Sequence, residues 1–261
     1  IWSDPSMSWS FAELHSTPDD HPATALLRRE LETRGARSGF EPAMSSPFRR
    51  LPETWDELDG GLGKSFRKTL RRKCNAGKRH GLRVEISTDA RCAPEIFALS
   101  EKTWQHEDGT GIGSTPRIRT FYDGVIAGAE ARGELQLALL RSEEGAPLAF
   151  ELNLDDGRAV YNLKVGYDPE AQSLSPGLVL RERVLQEAVE SGHAEFDFLG
   201  TDEPYKLHWT DTVRVHGRLV VVRGAPAPLL YHWAKFRLRP WLERNAPWVL
   251  GLKRRFASAS G

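Results

Sequence analysis

The chain has 261 residues and carries 36 basic and 36 acidic side chains. Apolar residues make up 39 %, and with 23 glycines they place the chain in the globular range, which excludes wholesale disorder. The lack of any run of roughly 18 uncharged apolar residues excludes a membrane-spanning helix, and two cysteines, Cys74 and Cys92, give neither a disulfide framework nor a zinc spacing and read as free thiols of a reducing cytoplasm.

The neutral total hides a segregated charge pattern. Residues 1–62 hold 6 basic and 11 acidic side chains. They are rich in Ser, Pro and Asp, and one helix is expected, near His21–Arg34, with Pro22 at its start and Gly35 past its end. The remainder of this stretch reads as extended loop. The chain opens on Ile1, and we read it as a piece or a processed form of a longer protein. Residues 63–83 then hold 9 basic side chains and no acidic one. Phe66, Leu70 and Cys74 fall at i, i+4 and i+8, so residues 64–79 form a basic amphipathic helix with Arg67, Lys68, Arg71, Arg72 and Lys73 on its other faces. Such a segment suits an anionic partner.

From residue 82 the pattern becomes regular. Leu82–Ser87 alternates as a strand. Pro94–Glu107, with Ile96, Phe97, Leu99 and Trp104, and Pro116–Ala131 have helical periodicity. Glu134–Arg141, Pro147–Asp155 and Arg158–Tyr167 are strands separated by Glu-Glu-Gly and Asp-Asp-Gly turns, a meander. Gly177–Ser191 is an amphipathic helix closed by Gly192. Ala194–Leu199 is a short strand, Glu203–Trp209 a short helix, and Thr212–Arg223 a final strand with a bulge expected at Gly217. Residues 225–261 hold 7 basic side chains and 1 acidic one. There Trp233, Phe236, Trp241, Trp248 and Phe256 interleave with Lys235, Arg237, Arg239, Arg244, Lys253, Arg254 and Arg255, a mixture suited to a membrane interface or to packing on the protein's own body.

This element order over residues 82–223 resembles the GNAT acyltransferases. Ser175-Pro176-Gly177-Leu178-Val179-Leu180-Arg181 opening a helix, then Phe196-Asp197-Phe198-Leu199-Gly200, then Glu203-Pro204-Tyr205-Lys206-Leu207-His208-Trp209, are similar to the CelD-like branch, which is close to the FemAB-type peptidyltransferases. The resemblance implies an α/β fold with a mixed, mostly antiparallel twisted sheet flanked by helices. It divides the chain into a remnant of an upstream GNAT-like half (1–62), a basic helical linker (63–81), an acyltransferase domain (82–224) and a basic aromatic tail (225–261). It further implies acyl transfer from acetyl-CoA or another acyl-CoA to an amine of an envelope, polysaccharide, lipid or secondary-metabolite precursor, by direct attack and without a covalent enzyme intermediate. Two alternatives stand beside it. One is an aminoacyl-tRNA donor, as in FemAB-type ligases; the other is a non-catalytic module that binds nucleic acid or lipid.

The residues carry these expectations as follows. The family's pyrophosphate loop is (Gln/Arg)-x-x-Gly-x-(Gly/Ala), and Gln172-Ser173-Leu174-Ser175-Pro176-Gly177-Leu178 departs from it. A helix beginning at Gly177 still presents bare amides to a phosphate, with Ser173 and Ser175 as added donors. The backbone of Leu163, Val165 and Gly166, on a strand that splays from its neighbour, is expected to bind the pantetheine arm. Tyr205 is expected to protonate the leaving thiolate and Lys206 to meet a phosphate or oxyanion. Asp197, in a central strand, needs a partner such as Lys206 or Lys164. Glu151 shares a face with Ala149 and Asn153 and is a candidate general base at the acceptor groove, lined also by Asn162 and Lys164; its plain reading is a solvent-facing sheet residue. His106, His193, His208 and His216 read as structural. No metal site is expected.

Overall fold

The computed structural model describes residues 9–103, 108, 109 and 111–245. In chain order it contains β1 (Phe11–Pro18), α1 (Pro22–Thr33), β2 (Arg37–Arg50), α2 (Trp55–Gly60), α3 (Lys64–Arg79), β3 (Arg83–Ser87), α4 (Ala93–Glu101) and α5 (Pro116–Arg132). The meander follows as β4 (Leu135–Arg141), β5 (Pro147–Asp155) and β6 (Ala159–Tyr167). Then come α6 (Pro176–Glu190), β7 (Glu195–Asp197), α7 (Pro204–Leu207), β8 (Val213–Val222), α8 (Pro226–Trp233) and α9 (Arg239–Asn245). Contacts divide the chain into two compact units, Ser46–Val213 and Ile1–Ser45 with Arg214–Gly261. Trp104, His106, Trp248, Lys253, Arg254, Arg255 and Phe256 lie outside the described residues.

In the unit Ser46–Val213 the strands run in the order β2-β7-β6-β5-β4-β3, with the last residues of β2 forming one side. All neighbours are antiparallel except β6 and β7. This is a mixed α/β layer fold with a mostly antiparallel sheet flanked by helices. Strand alternation sends Leu135, Leu137, Leu139, Phe150 and Leu152 to one face, where they pack with Ile96, Phe97 and Leu99 of α4 and Ile126 and Ala129 of α5. Ala138, Leu140, Ala149 and Val160 go to the other face, against Leu180, Val184, Leu185 and Ala188 of α6 and Leu70 and Cys74 of α3. The basic helix α3 is thus a packed member of this unit. Its buried Leu70, Cys74 and Gly77 face inward, and burial pushes the Cys74 thiol up to about 12.

In the other unit β8 pairs antiparallel with β1, Phe11 opposite Val222 and Leu14 opposite Leu219, and lies beside the first part of β2. The helix expected near His21–Arg34 is α1. The surrounding stretch is not loop. It supplies β1 and the 14-residue β2, whose Ser, Pro and Gly content hides its strand character from propensity. Gly217 is not the bulge: the register shift falls between Leu14 and Thr17 of β1, where Ser16 has φ 53°. A side chain at Gly217 would put a Cβ 2.2 Å from the Glu41 carbonyl, so glycine is there for close approach to β2.

Candidate active site at a strand splay

β6 and β7 pair only at their beginnings, Ala159 with Glu195, Val160 with Phe196 and Tyr161 with Asp197. β7 then ends, whereas β6 runs on to Tyr167, still paired with β5. Consecutive β5 residues Leu152 and Asn153 face Lys164 and Asn162, so Leu163 is an extra residue, a bulge at the point of departure. The β6 backbone beyond Tyr161, including Leu163, Val165 and Gly166, therefore has no β7 partner. Gly166 is required by packing: a Cβ there would stand 2.4 Å from Phe150 Cε1 and 2.9 Å from Thr103 Cγ2. The Leu163 side chain packs into the α4–α5 face.

Next to this gap α6 begins. Ser175 takes the left-handed conformation (φ 54°, ψ 52°) and turns the chain into the helix, with Pro176 in the first turn. The Ser175 carbonyl accepts from the amides of Leu178 and Val179 at 3.0 and 3.2 Å. The Gly177 amide, in the first turn of the helix, has no intrahelical acceptor and makes no bond to another described residue. Ser173 is exposed, and Lys73 of α3 donates to its carbonyl at 3.2 Å, bringing a cation to the entrance of α6.

One turn after Gly177, on the same side of α6, stands Arg181, 4 % exposed. Its Nε donates to Glu151 Oε1 at 2.6 Å and its Nη2 to Asn162 Oδ1 at 2.7 Å. Asn162 Nδ2 donates to Asn153 Oδ1 at 2.6 Å, and Asn153 Nδ2 to Gln136 Oε1 at 2.9 Å. The guanidinium also lies over the rings of Phe196 and Phe198, at 5.1 and 5.2 Å. Five buried polar side chains from β4, β5, β6 and α6 thus form one connected cluster, and Asn162, the first β6 residue past the β7 pairing, puts it in the mouth of the splay. Burial raises the Glu151 carboxyl above its ordinary range against the opposing pull of Arg181.

α7 follows β7 and supplies Tyr205. Burial raises the pKa of its hydroxyl, the Arg181 charge opposes the rise, and Glu203 and Glu151 add to it. The phenol is therefore within electrostatic reach of the buried pair. A cleft of about 660 Å³ opens at the far end of α7, walled by Arg49, the Gly61–Gly63 turn and His208–Thr212. Arg49 is fixed there by bonds to the carbonyls of Trp209 (2.5 Å) and Leu58 (3.4 Å). Among the described residues no group of His, Cys, Asp or Glu is placed to hold a metal ion.

The family model for the Acetyltransferase (GNAT) domain matches residues 64–207, more than half of the chain. The chain belongs to the GNAT acetyltransferase family. A crystal structure of FemX superposes at TM-score 0.63 with 15 % identity, covering 85 % of this GNAT chain and 74 % of FemX. The C-terminal domain of a lysylphosphatidylglycerol synthetase from Agrobacterium fabrum superposes at TM-score 0.55 with 17 % identity, covering 86 % and 72 %. At these identities the likeness speaks for the fold. A search of the curated proteins finds no sequence match.

Within this GNAT domain the splay brings Glu151, Asn162 and the β6 backbone beside the Gly177 start of α6, and Tyr205 of α7 is near enough to feel the charges of Arg181 and Glu151. Two expected placements change, those of Lys206 and Glu151. Lys206 does not reach outward. It is buried, and its ammonium is 2.6 Å from the Leu199 carbonyl, 3.1 Å from the Thr201 carbonyl and 2.5 Å from the Glu203 carboxylate. With its three donors taken, it clamps the Leu199–Glu203 loop, where Leu199 and Gly200 take positive φ of 48° and 64°. Asp197 Oδ1 accepts from the Leu199 amide at 2.8 Å, bracing the same loop. Glu151 is no solvent-facing residue, being 2 % exposed and paired. The Leu178 side chain packs against the core. His193 bridges Asp155 (2.7 Å) and the Ala188 carbonyl (3.1 Å), and His208 stacks on Phe66 at 5.0 Å, so both are structural. His216 is buried in β8 of the other unit.

Arg181, Asn153 and Gln136 were not singled out by sequence reasoning as site residues. One signal was available. With Val184 and Ala188, Arg181 occupies i, i+3 and i+7 of the inward stripe of α6, a charge where the period demands an apolar side chain.

Proposed function

We propose that the protein is a GNAT-type N-acyltransferase that moves an acyl group from an acyl-CoA to an amine of an envelope, polysaccharide, lipid or secondary-metabolite precursor. The observation that carries this reading is the parting of β6 from β7 after Tyr161 and Asp197, beside an α6 start whose Gly177 amide has no acceptor. The donor supplies a thioester carbonyl. The free β6 edge from Asn162 to Tyr167 aligns the pantetheine arm by strand-like bonds, and the Gly177 amide, the α6 dipole and Lys73 take the diphosphate. The incoming amine nitrogen bonds to the acyl carbon while the amine loses a proton to water. The tetrahedral oxyanion collapses, the carbon–sulfur bond breaks, and Tyr205 gives its proton to the departing thiolate. Arg181, held by Glu151 and Asn162, keeps the splay open and positively polarised where the oxyanion forms.

Calorimetry with acetyl-CoA and longer acyl-CoAs tests the donor, and free-thiol release with an amine tests turnover. Micromolar binding and thiol release are expected. Absence of binding by every acyl-CoA overturns the reading.

A second reading has its own observation. The exposed face of α3 carries Lys64, Lys68, Arg72 and Arg79, none of them in an ion pair among the described residues, on the helix that delivers Lys73 to the α6 entrance. A row of cations there suits the backbone of an aminoacyl-tRNA donor. Tight tRNA binding with a steep salt dependence, and no acyl-CoA binding, decides for it. Cys74 and Cys92 are free thiols, in keeping with a reducing cytoplasm, and among the described residues no helix is long and apolar enough to cross a membrane.

A further inference from the structure

The segment from α8 through the π-helical turn Ala234–Leu238 to α9 has two dissimilar sides. The inner side is tied to its own unit. His232 is buried and lies 5.0 Å from the ring of Phe236, and Lys235 bonds Glu41 of β2 at 2.8 Å. The outer side carries Leu230, Trp233, Arg237, Trp241 and Arg244, at spacings of three and four, so they form one row along the helical surface. Leu230, Trp233 and Trp241 are 64, 48 and 53 % exposed. Arg237 has no ion-pair partner among the described residues. Residues 226–245 hold four cations and one carboxylate. A helix meant only for water carries polar side chains on its outer face. This one alternates large apolar groups with arginines.

We propose that this outer row is a docking surface for the headgroup layer of a bilayer that contains anionic lipids. Indole rings and leucine settle at the boundary between headgroups and acyl chains, while guanidinium groups between them reach lipid phosphates. The excess of cations over carboxylates in residues 226–245, with Arg237 in the middle of the row, is complementary to an anionic surface. A second copy of this face would set like charges against each other.

The test uses the whole chain with vesicles of phosphatidylcholine alone and with about 30 mol % phosphatidylglycerol. Sedimentation with the anionic vesicles is expected, with much weaker binding to neutral ones, and brominated lipids should quench tryptophan emission. Trp233→Ser with Trp241→Ser, and separately Arg237→Glu, should each weaken binding about tenfold or more. Circular dichroism checks that both variants are folded. No binding to anionic vesicles, equal binding to neutral ones, or wild-type binding by the folded tryptophan variant overturns the proposal. So does a dimer that the tryptophan changes abolish while vesicles are ignored. Acyl transfer plays no part in these measurements, so their failure leaves that reading untouched.

Discussion

The two faces of the sheet in the unit Ser46–Val213 are built on opposite principles. Toward α4 and α5, Leu135, Leu137, Leu139, Phe150 and Leu152 form an apolar layer of side chains 1 % exposed or less. Toward α6, the same two strands and β6 place Gln136, Glu151, Asn153 and Asn162 under Arg181, all nearly as well buried. Burial on the first face is stabilising at about 25 cal/mol per Å². On the second it removes two charges from water, and their pairing at 2.6 Å at best offsets that cost. A buried ion pair is a weak way to gain stability, so stability alone does not account for the polar face.

Removing Arg181 breaks this comparison most directly. Arg181→Met should lose about 3–5 kcal/mol of stability at neutral pH, because Glu151 is left buried without its cation. Urea unfolding measures it. Changing Glu151→Leu in the same chain should restore most of that loss, since a well-packed apolar pair replaces a charged one at little cost, while thiol release stays depressed by about a hundredfold. Recovery of turnover together with stability would reduce the cluster to a packing element. Leu137→Ala on the other face is the control, with about 2–5 kcal/mol lost to a cavity and turnover per folded molecule unchanged.

Tyr205→Phe sharpens the same contrast from the chemical side. On the proposed chemistry it removes the proton for the thiolate, and no packing atom other than the hydroxyl, so kcat should fall by about a hundredfold with stability nearly constant. The fall should be smaller with donors whose leaving thiol is more acidic, because these need the proton less. A uniform loss across donors would mean that Tyr205 serves binding alone.

The apolar face was legible in the sequence and the polar one was not, for a physical reason. Apolar periods of two and 3.6 placed the meander, α5 and α6 within a residue or two of where they stand, since each element's burial is written in its own residues. Ser175, Gly177 and the free edge of β6 were reachable through the family resemblance, not from any local pattern of their own. β2 was not, because Gly39, Pro42 and Pro47 argue locally against a strand, and its conformation is set by partners distant in the chain, such as Phe48 with Asp197. Nor was the role of Lys206, whose three acceptors are assembled only when the Leu199–Glu203 loop closes on it. The cluster around Arg181 joins four elements, and no local pattern announces a carboxylate whose partner lies 30 positions away.

The smallest effect tests the electrostatic premise of the polar face. Burial raises Glu151 above the ordinary value of 4.5, and Arg181 opposes the rise without cancelling it. A carboxyl whose folded pKa lies above its unfolded one binds more protons folded than unfolded between the two values. Stability from this group therefore falls as pH rises from 4.5 to the folded pKa, and is flat outside that window. Glu151→Gln removes the titration. The stability of the parent relative to Glu151→Gln, followed by urea midpoints across mildly acidic pH, should decline with rising pH and then level. Other titrating groups cancel in the difference. If the difference instead grows with pH, the attraction of Arg181 exceeds the cost of burial, and the polar face would be a source of stability in its own right.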